Sequence, residues 1–204
     1  MATKRAQEEK IKADKKRRYD LSVKELNNYP LITIAFAILS VMLLLLKFSY
    51  VYNSKYETDE ISYTGFQLFF AAISGGFTSP NKIYGDISVY NYHTPTETQL
   101  SGIFVLISVI FALTIIGMSV WNYISKKPML NLVSAILFSI IFILFTACFI
   151  IALTSPIMIG YQCDLTICSL HSLAIIPAIT ALIGAGVSAF ATVKYFIARK
   201  ILKA

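Results

Sequence analysis

At 204 residues, 56% of them hydrophobic and only 14% charged, the chain departs from soluble globular domains, in which about a quarter of residues are charged. Its net charge of +7 would point a polar chain toward nucleic acid. Here the basic residues flank long apolar runs instead, which is the pattern of a membrane protein and excludes nucleic acid as the expected partner.

Residues 1–30 form a basic tail with nine Lys/Arg, including the block Lys10, Lys12, Lys15, Lys16, Arg17 and Arg18. Glu8 and Lys12 have favourable i, i+4 spacing, so a partly helical tail is expected. Such a tail sets topology, and it also suits anionic lipid headgroups, at about 1 kcal/mol per basic residue near the surface. Ser22-Val23-Lys24-Glu25 has capping-box spacing and predicts a short helix, ended by Asn27-Asn28-Tyr29-Pro30.

Four runs are long enough to span a bilayer: 31–52, 100–123, 129–154 and 172–197. None contains an acidic residue. The first begins at Leu31 and reads as a signal anchor. It carries Lys47 next to Phe48, Tyr50 and Tyr52, and this interfacial charge is expected to snorkel to the outer headgroups. Basic residues then set the orientation. The tail, Lys126 and Lys127 in the short turn, and Lys194, Arg199, Lys200 and Lys203 at the end all fall on one side. The loops 53–99 and 155–171 hold only Lys55 and Lys82, against Glu57, Asp59, Glu60, Asp86, Glu97 and Asp164. The positive-inside rule therefore predicts a plasma-membrane protein with both termini cytoplasmic, including the basic segment 199–204, and both longer loops outside.

Within loop 53–99, Thr64–Phe77 is apolar but too short to cross. Thr64 and Gln67 form a capping box and Gly75-Gly76 a stop. Between them Phe66, Phe69, Phe70 and Ile73 fall at i, i+3, i+4 and i+7, predicting a short helix with one apolar face. Ile83–Tyr92 alternates around Gly85-Asp86 and is a candidate β-ribbon. Thr94, Pro95 and Glu97 suit the N-cap, N1 and N3 of a helix that starts before the second span.

Trp121 and Tyr123 form an inner aromatic belt before Lys126-Lys127-Pro128, a turn that makes the second and third spans an antiparallel hairpin. Asn131, Ser134, Ser139, Thr146 and Cys148 in the third span are expected to bond neighbouring helices at about 0.6 kcal/mol each. In the fourth span Ala181, Gly184, Ala185, Ser188 and Ala189 make a small-residue face for close helix packing, inside the bundle or against another subunit. Pro177 is a candidate kink.

Cys163 and Cys168 lie in the outer loop 155–171, and on the oxidising side they read most simply as a disulfide. With His171 and His93 they would also make a four-ligand zinc set, though the ligands come from separate loops. Four spans with outer-loop cysteines resemble quinone-linked disulfide oxidases, but the chain has no Cys-x-x-Cys and only one outer pair. The long first and shorter second outer loops also resemble the claudin-like tetraspan topology. Loop 53–99 lacks that family's Trp and Cys signature, so no functional residue carries over. No phosphate loop, nucleophilic triad or intramembrane acid is present, so neither a catalytic residue nor a cofactor or metal site is assigned.

The expectation is an all-α integral membrane protein. Its membrane domain, 31–198, is a four-span antiparallel helix bundle with a small extracytoplasmic cap, made of the short amphipathic helix and the ribbon. The expected function is non-catalytic: an accessory or assembly subunit that contacts a membrane-protein partner, or further copies of itself, through the cap and the small-residue faces. The alternative is a component of a transporter or channel, and a third is an outer-surface thiol or lipid enzyme.

Overall fold

The computed structural model of the protein describes residues 2–53, 60–74, 96–154, 167–171 and 173–203. These form helices α1 (Ala2–Leu26), α2 (Tyr29–Met42), α3 (Gly65–Ser74), α4 (Thr96–Ser125), α5 (Leu130–Thr154) and α6 (Ile175–Lys203). A 3-10 turn covers Leu43–Leu45, and strands β1 (Lys47–Asn53), β2 (Glu60–Thr64) and β3 (Ile167–His171) complete the order. The described chain is mostly helical, and four helical runs are long and apolar enough to cross a membrane: Glu9–Leu45, Leu100–Ser125, Leu130–Leu153 and Ile175–Lys200.

The four runs close a ring in which α4 packs on α5, α5 on α6, α6 on α2 and α2 on α4. Neighbours in the ring run antiparallel, so the α4–α5 turn lies at the end where α2 begins and α6 finishes, called here the termini end. Phe138, Phe145, Ile115, Ile141 and Val105 fill the centre and are fully buried. Large apolar side chains such as Leu113, Ile143 and Ile183 cover the outside, as in a bundle whose solvent is lipid.

The sheet is the main departure from the expected outline. The first span is helical only to Met42, with one 3-10 turn to Leu45, and Lys47–Asn53 becomes the middle strand of order β2-β1-β3. Lys-Phe-Ser-Tyr-Val-Tyr-Asn is rich in aromatic and β-branched residues, which favour a pleated strand over a helix. β1 pairs antiparallel with both neighbours, Lys47 opposite Thr64 and Val51 opposite Leu170, with a register shift after Lys47. Pairing on both edges satisfies the backbone donors and acceptors of this middle strand. Phe48, only 1% exposed, turns into the bundle and meets the Phe145 ring edge-on at 5.8 Å between centroids. The candidate ribbon Ile83–Tyr92 and the cap at Thr94 lie outside the described residues.

Two further expectations are corrected. Ser22 does not cap a new helix: α1 runs through it, and its Oγ donates to the Arg18 carbonyl at 3.0 Å. The break comes later, at Asn27-Asn28. Pro177 does not kink α6, because the helix begins at Ile175 and places the proline in its first turn, where no intrahelical N–H bond is lost.

Candidate functional site

α3 is the expected short helix, and both arms of its capping box are formed. Thr64 N–H donates to Gln67 Oε1 at 2.8 Å, and Gln67 N–H donates to Thr64 Oγ1 at 3.2 Å. Its docking face is not the aromatic one. Leu68, 1% exposed, and Ala72 lie on α4 at Gly102, where an added Cβ would stand 2.8 Å from the Leu68 carbonyl oxygen and 3.2 Å from Ala72 Cβ. Gly65, likewise buried, abuts the backbone of Leu44. Phe66 and Phe69 are half-buried against the core, whereas Phe70 and Ile73 are 63% and 60% exposed. The expected face Phe66/Phe69/Phe70/Ile73 is therefore split. Leu68 and Ala72 approach α4 closely and Gly65 approaches the 3-10 turn at Leu44, and the bulk of Phe70 and Ile73 is turned outward. Gly102 is about 28 Å along α4 from Trp121 at a rise of about 1.5 Å per residue. That separation is close to the thickness of a bilayer's hydrocarbon layer, about 30 Å.

In the fourth span Ala181, Gly184, Ala185 and Ser188 are buried within the bundle, and a Cβ on Gly184 would meet the Phe138 ring at 2.8 Å. Ala189 is exposed and lies outside this face. Lys47 opens β1 half-buried, and its carbonyl accepts the Leu173 N–H at 2.9 Å. Cys168 falls in β3, while Cys163 and His93 lie outside the described residues, and with them the disulfide and the zinc alternative. Among the described residues no cluster of His, Cys, Asp or Glu is suited to a metal.

The small polar residues of the third span divide. Asn131 Oδ1 accepts from Asn122 Nδ2 at 2.9 Å, and Cys148 Sγ reaches the Ser101 carbonyl at 3.6 Å, so these two bridge helices. Ser134 and Ser139 bond back to carbonyls of their own helix. Thr146 Oγ1 is buried with no partner among the described residues.

A polar layer near the termini end was not anticipated as a unit. Thr33 of α2 and Ser188 of α6 meet at 3.4 Å; the Thr33 hydroxyl already donates to the Tyr29 carbonyl, so Ser188 is the donor. One turn on from the Gly184–Phe138 contact, Ser188 and Ser134 share a level. One turn from the Asn122–Asn131 bond toward the sheet, Ser119 and Ser134 share it too. Each of the four ring helices thus supplies one buried hydroxyl: Thr33, Ser119, Ser134 and Ser188. Polar positions recurring at one depth in all four spans were the available sequence signal.

At the termini end α1 lies on α6. Leu26 is buried, and Lys194 Nζ stands 3.8 Å from Glu25 Oε2, 5.2 Å from the Phe190 ring centroid and 5.9 Å from that of Tyr29. The lysine stem is held between aromatic faces while its charge meets an exposed carboxylate.

Comparison with protein-family models, with curated proteins and with solved structures finds no match for the chain.

Proposed function

We propose that the protein is a non-catalytic integral membrane subunit of the plasma membrane that docks to a partner membrane protein through its cap helix α3. The observation that carries the reading is the orientation of α3. Leu68 and Ala72 clamp it to Gly102, so Phe70 and Ile73 are presented outward on a fixed support. Rigid, exposed aromatic and aliphatic anchors at one point favour specific docking, because little conformational entropy is lost on binding.

The small-residue face no longer supports partner contact, because α5 and α2 already occupy it. The charge distribution supports cytoplasmic termini, with the sheet and α3 outside. On that side Cys163 and Cys168 would be oxidised to a disulfide that fixes the approach to β3. A passage through the middle of one chain has no support, since Phe138, Phe145 and Ile115 fill it.

The test is photo-crosslinking from native membranes, with a benzophenone side chain at Phe70 and, as a lipid-facing control, at Ile143. A single protein adduct from position 70, lost when Ile73→Asp is added and absent from position 143, is the expected result. Equal labelling at both positions, or none at 70, would refute the reading.

A further inference from the structure

We propose that the polar layer at the termini end is a built internal water site, with Asn131 and Ser119 as the groups that bind the water. Among the described residues, Asn131 Nδ2 and Ser119 Oγ are buried side-chain polar atoms that find no partner in the protein. Asn131 is 1% and Ser119 2% exposed, so neither reaches bulk solvent. Leaving such a group unpaired is costly, and native structures rarely tolerate it without an ordered water.

The assignment of the Asn131 amide does not change this conclusion. With Asn122 Nδ2 donating to Asn131 Oδ1, the Asn131 NH2 is left over. If both amides are turned over, Asn131 donates instead and its oxygen is left over. The occupant must therefore be able to donate or accept, as water does. A cation would find no carboxylate among Thr33, Ser119, Asn122, Asn131, Ser134 and Ser188, and an anion would find no formal positive charge. Ser134 and Ser188 have spent their hydroxyl protons on the Leu130 carbonyl and on Thr33, and each keeps lone pairs that can accept from a water. Such a water reaches the two to four partners that buried waters typically have.

The site has a dry boundary. One turn toward the sheet the same helices present Ile115 and Phe138, both fully buried, with the Phe138 ring against Gly184. Small serine side chains occupy this layer, and the larger Ile115 and Phe138 occupy the next.

The experiment is water-edited solid-state NMR on isotopically labelled protein in lipid bilayers, reading transfer from water to the Asn131 side-chain amide, assigned by its loss in Asn131→Leu. Transfer several-fold faster than to the backbone amides of Ile115 and Phe138 is expected. Transfer as slow as to those two amides overturns the site. Ser119→Val, which fills the space with methyl groups, should bring the Asn131 signal down to the Ile115 level; undiminished transfer in that variant would also overturn it. If the variant does not fold, the comparison within the native protein decides.

Discussion

Asn122 and Asn131 join α4 to α5 by a side-chain hydrogen bond of 2.9 Å, both residues buried, immediately above the turn that reverses the chain. Lys126 supplies that turn with φ 53°, and its N–H closes on the Asn122 carbonyl at 2.8 Å. A left-handed residue of this kind ends a helix abruptly. Backbone and side chain of Asn122 therefore act on the same reversal. A double-mutant cycle with Asn122→Leu and Asn131→Leu should give a coupling of about 0.6 kcal/mol, with a ceiling near 1.7 kcal/mol, as for other interhelical bonds in lipid. Steric-trapping unfolding in bicelles would measure it, and additivity of the two changes would show that the pair is not coupled.

Gly184 and Gly186 are two residues apart and should respond oppositely to alanine. At Gly184 the new Cβ meets a fully buried Phe138 ring at 2.8 Å, so Gly184→Ala is expected to cost about 1–3 kcal/mol through overpacking. Phe138→Leu in the same chain should recover part of the loss. At Gly186 a Cβ meets nothing within 4 Å. Gly186→Ala should be neutral or stabilise by up to about 1 kcal/mol, because glycine is the costlier residue in a helix. Thermal unfolding in detergent would rank the two.

Gly102→Ala should detach α3 without unfolding the bundle. The colliding atom is the Leu68 carbonyl oxygen, a backbone group that cannot rotate away. Spin labels at Phe70 and Ile103 should report a longer and broader distance distribution in the variant, while the thermal transition of the four-helix core stays within a few degrees of wild type. An unchanged distance distribution would mean that the contact yields elsewhere.

Leu68 and Phe70 provide a second contrast on the same helix. Leu68→Ala is expected to weaken the docking of α3 by about 2–5 kcal/mol, the range for emptying a packed aliphatic site. Phe70→Ala removes a larger side chain from an exposed position and should stay within about 0.5 kcal/mol. If Phe70→Ala abolishes the position-70 contact to a partner while stability is retained, binding and folding are separated on one element.

The four helices long and apolar enough to cross a membrane were legible because they depend on run length and composition, and neither requires knowledge of packing. The capping box at Thr64 and Gln67 was legible for a similar reason, since it is entirely local. The rotation of α3 was not, because it is decided by Gly102, 34 positions from Leu68, and by the small size of Ala72. A reading by bulk favours Phe70 and Ile73 as the buried face, whereas close approach favours the small residues. β1 was obscured by its neighbour: Leu43–Leu46 continues the apolar run into Lys47–Asn53, although Phe48, Tyr50 and Tyr52 alternate with period two. The polar layer was visible only as scattered Ser, Thr and Asn positions, and antiparallel register brings them to one depth.

The strand order β2-β1-β3 also constrains synthesis. β1 receives its β2 neighbour soon after its own synthesis, but its other edge must wait for residues 167–171, after α4 and α5 have been made. Until then one row of backbone donors and acceptors stays open. A product truncated after α5 should therefore be recognised by quality-control proteases or self-associate through that edge, whereas one truncated after α6 should not. Closure of the sheet thus depends on β3, the strand that immediately precedes the last helix.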